Sequence, residues 1–216
     1  MLFDMDGTLI DSEGLWTIAL RELAVEYGGT LSEAARRAII GTSMADSMRI
    51  LHDDLGQPHR DPVASAKWID ARILELFRTE VPMRPGAVTL LRAVRAAGIP
   101  TALVTSSLRS VVEVALDTLG RESFDVIVCG DEVGATKPHP EPYLTAARLL
   151  GVPIERCVAI EDSPTGVASA LASGAAVLAV PAELPIAPTD GVHQLESLTG
   201  VDLELLAALL GEPPPD

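Results

Sequence analysis

The stretch FDMDGTL at residues 3–9 changes from apolar to acidic between Phe3 and Asp4. The apolar residues 1–3 predict a very short opening strand that ends at Asp4. An acidic residue at the end of a buried strand is costly unless it is solvated, paired or bound to metal. Asp4 and Asp6 are two residues apart, so in extended backbone their side chains project to the same side.

Two carboxylates this close repel each other, by ~4 kcal/mol at a separation of about 4 Å and an effective dielectric constant of about 20. A divalent cation would relieve the repulsion, and hard oxygen ligands suit Mg²⁺. A solvated turn without a metal ion is an equally good interpretation of these residues, since Asp-x-Asp-Gly is also a typical turn sequence. The stretch alone therefore leaves both interpretations open.

Beyond this stretch, four later apolar runs predict buried strands, and segments with helical periodicity stand between them. Glycines follow these segments at positions where helices should end. Alternating strands and helices predict a parallel sheet with helices on both faces, an α/β Rossmann-like fold. The predicted strands are 99–105, 124–129, 157–160 and 175–180, and the predicted helices are 87–97, 108–119, 140–150 and 164–173.

Residues 13–81 differ from the rest, because they contain helical patterns and no strand-like run. We expect them to form a helical cap inserted into a catalytic core made of residues 1–12 and 82–216. The cap should lie over the carboxyl ends of the strands, where open α/β sheets bind ligands. The candidate N-caps of its helices are Ser12, Ser32, Ser43 and Asp61.

The charge and the apolar content of the chain limit the kinds of partner that it can bind. The chain has 216 residues, and its formal charge of −15 comes from 31 acidic and 16 basic residues. Nucleic acid and anionic membrane surfaces attract clusters of Lys and Arg, so neither is an expected partner. No apolar stretch reaches the ~20 residues that span a bilayer. We expect a cytoplasmic monomer whose GEPPPD tail, residues 211–216, is disordered.

The two cysteines, Cys129 and Cys157, both adjoin apolar runs. Free cysteine is among the most buried residue types, so two reduced, buried thiols are the expected state. A regulatory disulfide is the alternative.

Polar residues that can carry chemistry follow three of the later strands. Thr105-Ser106-Ser107 ends one strand and begins a helix, which brings hydroxyls and free backbone N–H groups together as an anion site. Lys137 follows the next strand, and Pro138 restricts it towards extended backbone. Glu161-Asp162 ends the strand after that. Taken singly, these features are also explained by helix caps and by a solvated loop lysine.

Together, the four clusters resemble the haloacid dehalogenase-like superfamily, in particular its β-phosphoglucomutase and sugar-phosphate phosphatase group with a first-position helical cap. The resemblance covers essentially the whole chain. It is carried by DMDGTL at 4–9, VTSS at 104–107, GATKPHPEPY at 134–143 and EDSPTG at 161–166.

The resemblance implies a role for each matching residue. Asp4 is the implied nucleophile and Asp6 the implied general acid and base. The implied phosphate-binding residues are Thr105, Ser106 and Lys137. The implied Mg²⁺ ligands are Asp4, Asp6 (through its backbone carbonyl), Asp162 and Glu161, the last directly or through water. The segment implied to choose the substrate is Thr42, Ser43 and Met44 of the cap.

We therefore expect a Mg²⁺-dependent phosphatase that hydrolyses a small phosphorylated metabolite, such as a sugar phosphate, through an aspartyl-phosphate. Asp6 favours ester chemistry over dehalogenation, because a departing halide needs no proton. A β-phosphoglucomutase-like mutase is the first alternative. Such mutases resemble this chain but carry a phosphate-binding arginine where Met44 stands, although Arg49 or Lys67 is a conceivable substitute. A non-catalytic binding module is the second alternative.

Overall fold

The computed structural model describes residues 1–79 and 81–211. The chain divides into two units: Met1–Asp11 together with Pro82–Asp216, here called the core unit, and Ser12–Val81, here called the helical unit. The predicted disordered tail lies outside the described residues, apart from Gly211.

In its described residues, the helical unit contains four α-helices, α1 to α4, and the sequence predicts their starts. Ser32 accepts a hydrogen bond from the N–H of Ala35, and Ser43 accepts one from the N–H of Asp46. Asp61 does the same for Val63 ahead of an N1 proline, so three of the four predicted caps are confirmed as side-chain caps. Ser12 occupies the N-cap position of α1 without such a bond. The helices are α1 Glu13–Glu26, α2 Glu33–Ile39, α3 Met44–Asp54 and α4 Pro62–Phe77.

A partly buried polar network links Tyr27, the residue after α1, to helices α3 and α4 inside the unit. The ring nitrogen Nε2 of His52 lies 2.8 Å from the Ser65 hydroxyl, and the Tyr27 hydroxyl lies 2.7 Å from the same oxygen. His52 is buried, and the Arg60 guanidinium stacks over the Tyr27 ring. Each buried polar group in this network therefore has a partner.

The core unit is an α/β fold with five helices in its described residues, α5 to α9, around one sheet of six strands. The helices are α5 Ala87–Ala96, α6 Arg109–Leu119, α7 Glu141–Leu150, α8 Pro164–Ser173 and α9 Leu203–Leu209. The strands are β1 Leu2–Phe3, β2 Ala102–Val104, β3 Val126–Val128, β4 Val158–Glu161, β5 Ala176–Ala179 and β6 Val192–Gln194.

The strands run parallel in the order β3-β2-β1-β4-β5-β6, which confirms the predicted Rossmann-like fold. The order reverses between β1 and β4, and open sheets of this kind bind ligands where it does. Phe3 pairs with Leu103 on one side and with Ile160 on the other. The residues just beyond these pairs therefore meet at the carboxyl edge of the sheet.

Each predicted strand and each predicted core helix is present, and its ends differ from the predicted ones by at most three residues. The sequence did not predict β6 or α9. Strand β6 reads Val-His-Gln, and its last two residues are exposed at the edge of the sheet. Such an edge strand lacks the continuous apolar run that marks a strand buried on both faces.

Two further predictions concern the whole chain. Cys129 and Cys157 are both free and buried, as expected. Within residues 1–79 and 81–211, no helix combines the length and the apolar composition needed to cross a membrane.

Candidate active site

Three carboxylates meet where β1 and β4 end. The N–H of Asp4 donates to the carbonyl of Ile160 at 3.0 Å, so the first acid sits directly beside Glu161 and Asp162. One oxygen from each of these three residues lies within 4.8 Å of the others, and all three residues are buried. The strand register, set by apolar pairing, therefore concentrates negative charge at one point.

Gly7 allows Asp162 to come close to the turn that follows Asp6. Its backbone φ is +77°, a conformation that side chains with a Cβ rarely adopt. A Cβ at this position would also lie 2.2 Å from Asp162 Oδ2. Glycine is therefore required in the Asp-x-Asp-Gly stretch both for the turn and for the approach of Asp162.

Lys137 brings positive charge into the cluster from the loop after β3. Its ammonium donates to Asp4 Oδ1 at 2.6 Å, to Glu161 Oε1 at 2.5 Å and to the carbonyl of Val104 at 2.9 Å. These three acceptors use all three ammonium protons. The Lys137 side chain is only 5% exposed, so the ion pairs are shielded from water.

The loop that carries Lys137 is itself held in place. The Glu141 carboxylate accepts from the N–H of Gly134 at 2.7 Å and from the N–H of Ala135 at 2.9 Å. The Ser169 hydroxyl donates to the carbonyl of His139 at 2.6 Å, which ties the far side of the loop to α8. The ammonium is thus presented by a braced loop, in contrast to a solvated loop lysine.

The pKa values of Asp4 and Lys137 reflect the balance between burial and the neighbouring charges. Burial raises the pKa of Asp4 to about 7, because the nearby Lys137 ammonium only partly offsets burial and the Glu161 carboxylate adds repulsion. Burial alone would lower the pKa of Lys137, but the Asp4 and Glu161 carboxylates outweigh it and the pKa rises. One ammonium therefore faces several buried carboxylates, and the site favours additional positive charge.

The residues present fit a hard divalent cation such as Mg²⁺. Carboxylate oxygens are the ligands such ions prefer, and three of them converge here. Within the described residues, Asp4 Oδ2 is buried and makes no hydrogen bond. A buried ionised oxygen without a donor is costly, and a cation is the partner that would remove this cost.

Asp6 points towards the hydroxyl cluster that follows β2. The Ser107 hydroxyl donates to Asp6 Oδ2 at 2.7 Å, and the Thr105 hydroxyl lies 3.4 Å from the same oxygen. The N–H of Ser107 also donates to Thr105 Oγ1 at 3.0 Å. Ser107 was not among the predicted site residues, whereas the predicted Ser106 has an exposed side chain. All three belong to the Thr-Ser-Ser run, but the sequence does not say which hydroxyl faces Asp6.

Glu161 is surrounded by donors on both carboxylate oxygens. Oε1 accepts from Lys137 and, at 2.5 Å, from the Tyr143 hydroxyl. Oε2 accepts from the N–H of Asp162 at 3.2 Å and lies 3.4 Å from the Ser163 hydroxyl. Tyr143 is the second site residue that the sequence did not predict, because its spacing in a helical segment indicates only a core position.

The predicted substrate-choosing segment lies in the helical unit, between α2 and α3. The Thr42 hydroxyl donates to the carbonyl of Ile39 at 2.8 Å, and the Ser43 hydroxyl donates to Asp46 at 2.7 Å while capping α3. Met44 is the first residue of α3. Their role in substrate choice stays a prediction.

Comparison with known proteins agrees with the geometry. The sequence profile of the haloacid dehalogenase-like hydrolases matches residues 1–174. The chain is 36% identical over 207 residues to hexitol phosphatase A of Escherichia coli, covering 92% of each protein. It is 34% identical over 176 residues to a phosphorylated carbohydrates phosphatase of Thermotoga maritima, covering 81% of each.

Among solved structures, CbbY from Rhodobacter sphaeroides in complex with xylulose-(1,5)bisphosphate superposes with a TM-score of 0.78 at 28% identity. The match covers 92% of this chain and 94% of that one. The predicted enzyme class, a phosphoric monoester hydrolase, agrees with the names of the two sequence relatives. On the profile match, the aligned relatives and the shared fold, this chain belongs to the haloacid dehalogenase-like hydrolase family.

Proposed function

We propose that this hydrolase is a Mg²⁺-dependent phosphatase that cleaves a small phosphorylated sugar or sugar alcohol through an aspartyl-phosphate. The observation that carries the proposal is the buried contact of Lys137 with Asp4, at the edge where three carboxylates converge. An ammonium held against a nucleophilic carboxylate suits attack on an anionic phosphate, because it offsets the repulsion between the two reactants.

In the first half-reaction, an ionised oxygen of Asp4 attacks the phosphorus atom and the ester P–O bond breaks. Asp6 gives its proton to the departing alcohol oxygen. The Ser107 hydroxyl, 2.7 Å from Asp6 Oδ2, holds that carboxyl group in place. The product is a phosphoryl group bound covalently to Asp4, which divides one difficult step into two easier ones.

In the second half-reaction, the ionised Asp6 accepts a proton from a water molecule whose oxygen attacks the phosphorus. The bond to Asp4 breaks, and inorganic phosphate leaves. Lys137 stabilises negative charge on the phosphoryl oxygens in both steps, and the Thr105 hydroxyl is a second candidate donor to them.

Asp4, Asp162 and the backbone carbonyl of Asp6 are the proposed ligands of Mg²⁺. Glu161, whose two oxygens already face four donors, would support the ion through its negative charge without binding it directly. When bound, Mg²⁺ would favour the ionised form of Asp4 and offset charge on the phosphate.

The proposed substrate class comes from the relatives. Hexitol phosphatase A and the phosphorylated carbohydrates phosphatase are both named for phosphorylated carbohydrates or their alcohols, and both are matched over most of their length. Residues 42–44 of the helical unit are proposed to determine which of these substrates the enzyme accepts.

The test measures phosphate release from p-nitrophenyl phosphate and from a panel of hexose and hexitol phosphates, with Mg²⁺ and with EDTA. We expect release that needs Mg²⁺ and disappears in Asp4→Asn. The matched control is Asp117→Asn, which makes the same change on the exposed face of α6 and should keep full activity. Turnover in EDTA, or undiminished turnover by Asp4→Asn, would refute the proposal.

The same panel decides between phosphatase and mutase. A mutase would convert β-glucose 1-phosphate to the 6-phosphate when primed with a bisphosphate. Arg49, a conceivable substitute for the absent phosphate-binding arginine, forms an exposed ion pair with Asp46 at 2.6 Å. We expect free phosphate without isomer.

A further inference from the structure

Tyr143 places a hydroxyl inside the core unit, directly behind the proposed catalytic groups. It lies in α7, is fully buried, and is packed among apolar side chains of the sheet and of α8. Its hydroxyl donates to Glu161 Oε1 at 2.5 Å.

Packing alone does not require this hydroxyl. The neighbours of Tyr143 in its cluster are small or aliphatic, and a phenylalanine ring would contact the same side chains. Burying a hydroxyl is costly unless it finds a partner, and here the partner is charged. The hydroxyl therefore acts on Glu161.

Glu161 in turn has a fully determined orientation. A carboxylate accepts about four hydrogen bonds, two at each oxygen, and four donors surround this one. Behind it, Gly166 leaves the necessary room, because a Cβ there would lie 1.9 Å from Oε2 and 2.1 Å from Oε1. A buried pocket with four donors and a glycine wall holds the carboxylate in one rotation.

We infer that Tyr143 is a positioning residue: its hydroxyl fixes Glu161, and Glu161 aims the Lys137 ammonium at Asp4. The inference rests on the proposed function, in which Lys137 stabilises the transferring phosphate. All three N–H bonds of the Lys137 ammonium are engaged. If the Glu161 carboxylate turns, the N–H bond that donates to it turns too, and the N–H bonds to Asp4 and to the carbonyl of Val104 change direction with it. The Lys137 ammonium also lies 5.1 Å from the centre of the Tyr143 ring, a contact that phenylalanine would keep.

The chain provides a matched pair of variants for the test. Tyr143→Phe removes only the hydroxyl bond to Glu161. Tyr27→Phe removes a hydroxyl bond to Ser65 inside the helical unit, so it controls for the loss of a part-buried tyrosine hydroxyl. In p-nitrophenyl phosphate hydrolysis with Mg²⁺, we expect kcat of Tyr143→Phe to fall about 5- to 50-fold, as expected for a misaligned catalytic group. Its KM should stay within about twofold, because Lys137 acts mainly on charge that develops in the transition state.

A crystal structure of Tyr143→Phe supplies a readout that needs no turnover. We expect the Glu161 carboxylate to rotate and the Lys137 ammonium to leave hydrogen-bond distance of Asp4 Oδ1. A kcat equal to that of the wild type, an equal loss in Tyr27→Phe, or a loss of kcat with Glu161 unmoved would each overturn the inference. Absence of Mg²⁺-dependent turnover in the wild type would instead sink the proposed function, and the position of Glu161 in the variant crystal would still decide the inference.

Discussion

Asp4→Asn should inactivate the protein and at the same time stabilise it in the absence of metal. Burial raises the pKa of Asp4 from 3.8 to about 7, even with the Lys137 ammonium beside it. A rise of this size corresponds to on the order of 4 kcal/mol against the ionised carboxylate above pH 7. Asparagine keeps the shape and removes the charge, as protonation of Asp4 does, so the lost ionic contact with Lys137 is already included in this figure. We therefore expect a net gain of about 2–4 kcal/mol, or roughly 4–16 °C in the unfolding midpoint for a chain of this size.

The gain should depend on pH in a definite direction. The folded pKa lies above the unfolded value, so the cost of ionising Asp4 is absent below pH 3.8. That cost grows as the pH rises to about 7, and it is constant above that. The advantage of Asp4→Asn over the wild type should follow the same course. Added Mg²⁺ should stabilise the wild type more than the variant, because the variant has lost a charged ligand.

The assay is thermal unfolding in EDTA between pH 5 and pH 8, followed by circular dichroism. Both tryptophans, Trp16 and Trp68, lie in the helical unit, so their fluorescence provides an internal reference for the part of the chain that is unchanged. Asp117→Asn controls for the loss of one negative charge at an exposed position. A variant less stable than the wild type at pH 8 in EDTA, or an advantage that does not change with pH, would show that the buried charge is not a cost.

Three further substitutions test other parts of the structure. Lys137→Met should lower kcat about 10²- to 10³-fold, the usual loss for one electrostatic group, and a smaller loss in steady-state kinetics would argue against its role on the phosphate. Gly166→Ala should lower both stability and kcat, because its Cβ displaces the Glu161 carboxylate. Alanine favours a helix by about 1 kcal/mol over glycine, so a variant that is more stable in urea unfolding and still fully active would contradict this expectation. Burial, followed by the Arg60 charge, lowers the pKa of His52 below its ordinary value of 6.5. The unfolded chain therefore takes up a proton at this histidine before the folded protein does, so the free energy of unfolding decreases as the pH falls below 6.5. Fluorescence-detected unfolding at pH 7.5 and pH 5.5 should show this loss in the wild type and a smaller one in His52→Gln.

Much of the fold follows from the sequence because the strands of a parallel sheet are buried on both faces. Runs such as 124–129 and 175–180 therefore contain almost only apolar residues. Their lengths were overestimated, because apolar residues continue into the turns. Strand β6 was missed since its side chains face solvent at the edge, where burial no longer selects apolar residues.

The proximity of the four polar clusters was predictable for a related reason. Carboxyl ends of parallel strands share one edge of the sheet, so residues that follow separate strands must meet there. The partner of each side chain was not predictable. Whether Ser106 or Ser107 faces Asp6 depends on the turn after β2, and the Tyr143 hydroxyl meets Glu161 only through the packing of α7 on the sheet.

The central position of β1 has a consequence for how the protein is made. Its two neighbours in the sheet come from residues 102–103 and 159–160, since residues 12–81 intervene in the chain. During synthesis the first strand emerges from the ribosome long before either neighbour exists, so it stays unpaired while the intervening helices can already form. Contacts so distant along the chain slow folding. We therefore expect nascent chains that end before residue 102 to hold their first strand unpaired, and those that end before residue 160 to leave one edge of that strand open to chaperones.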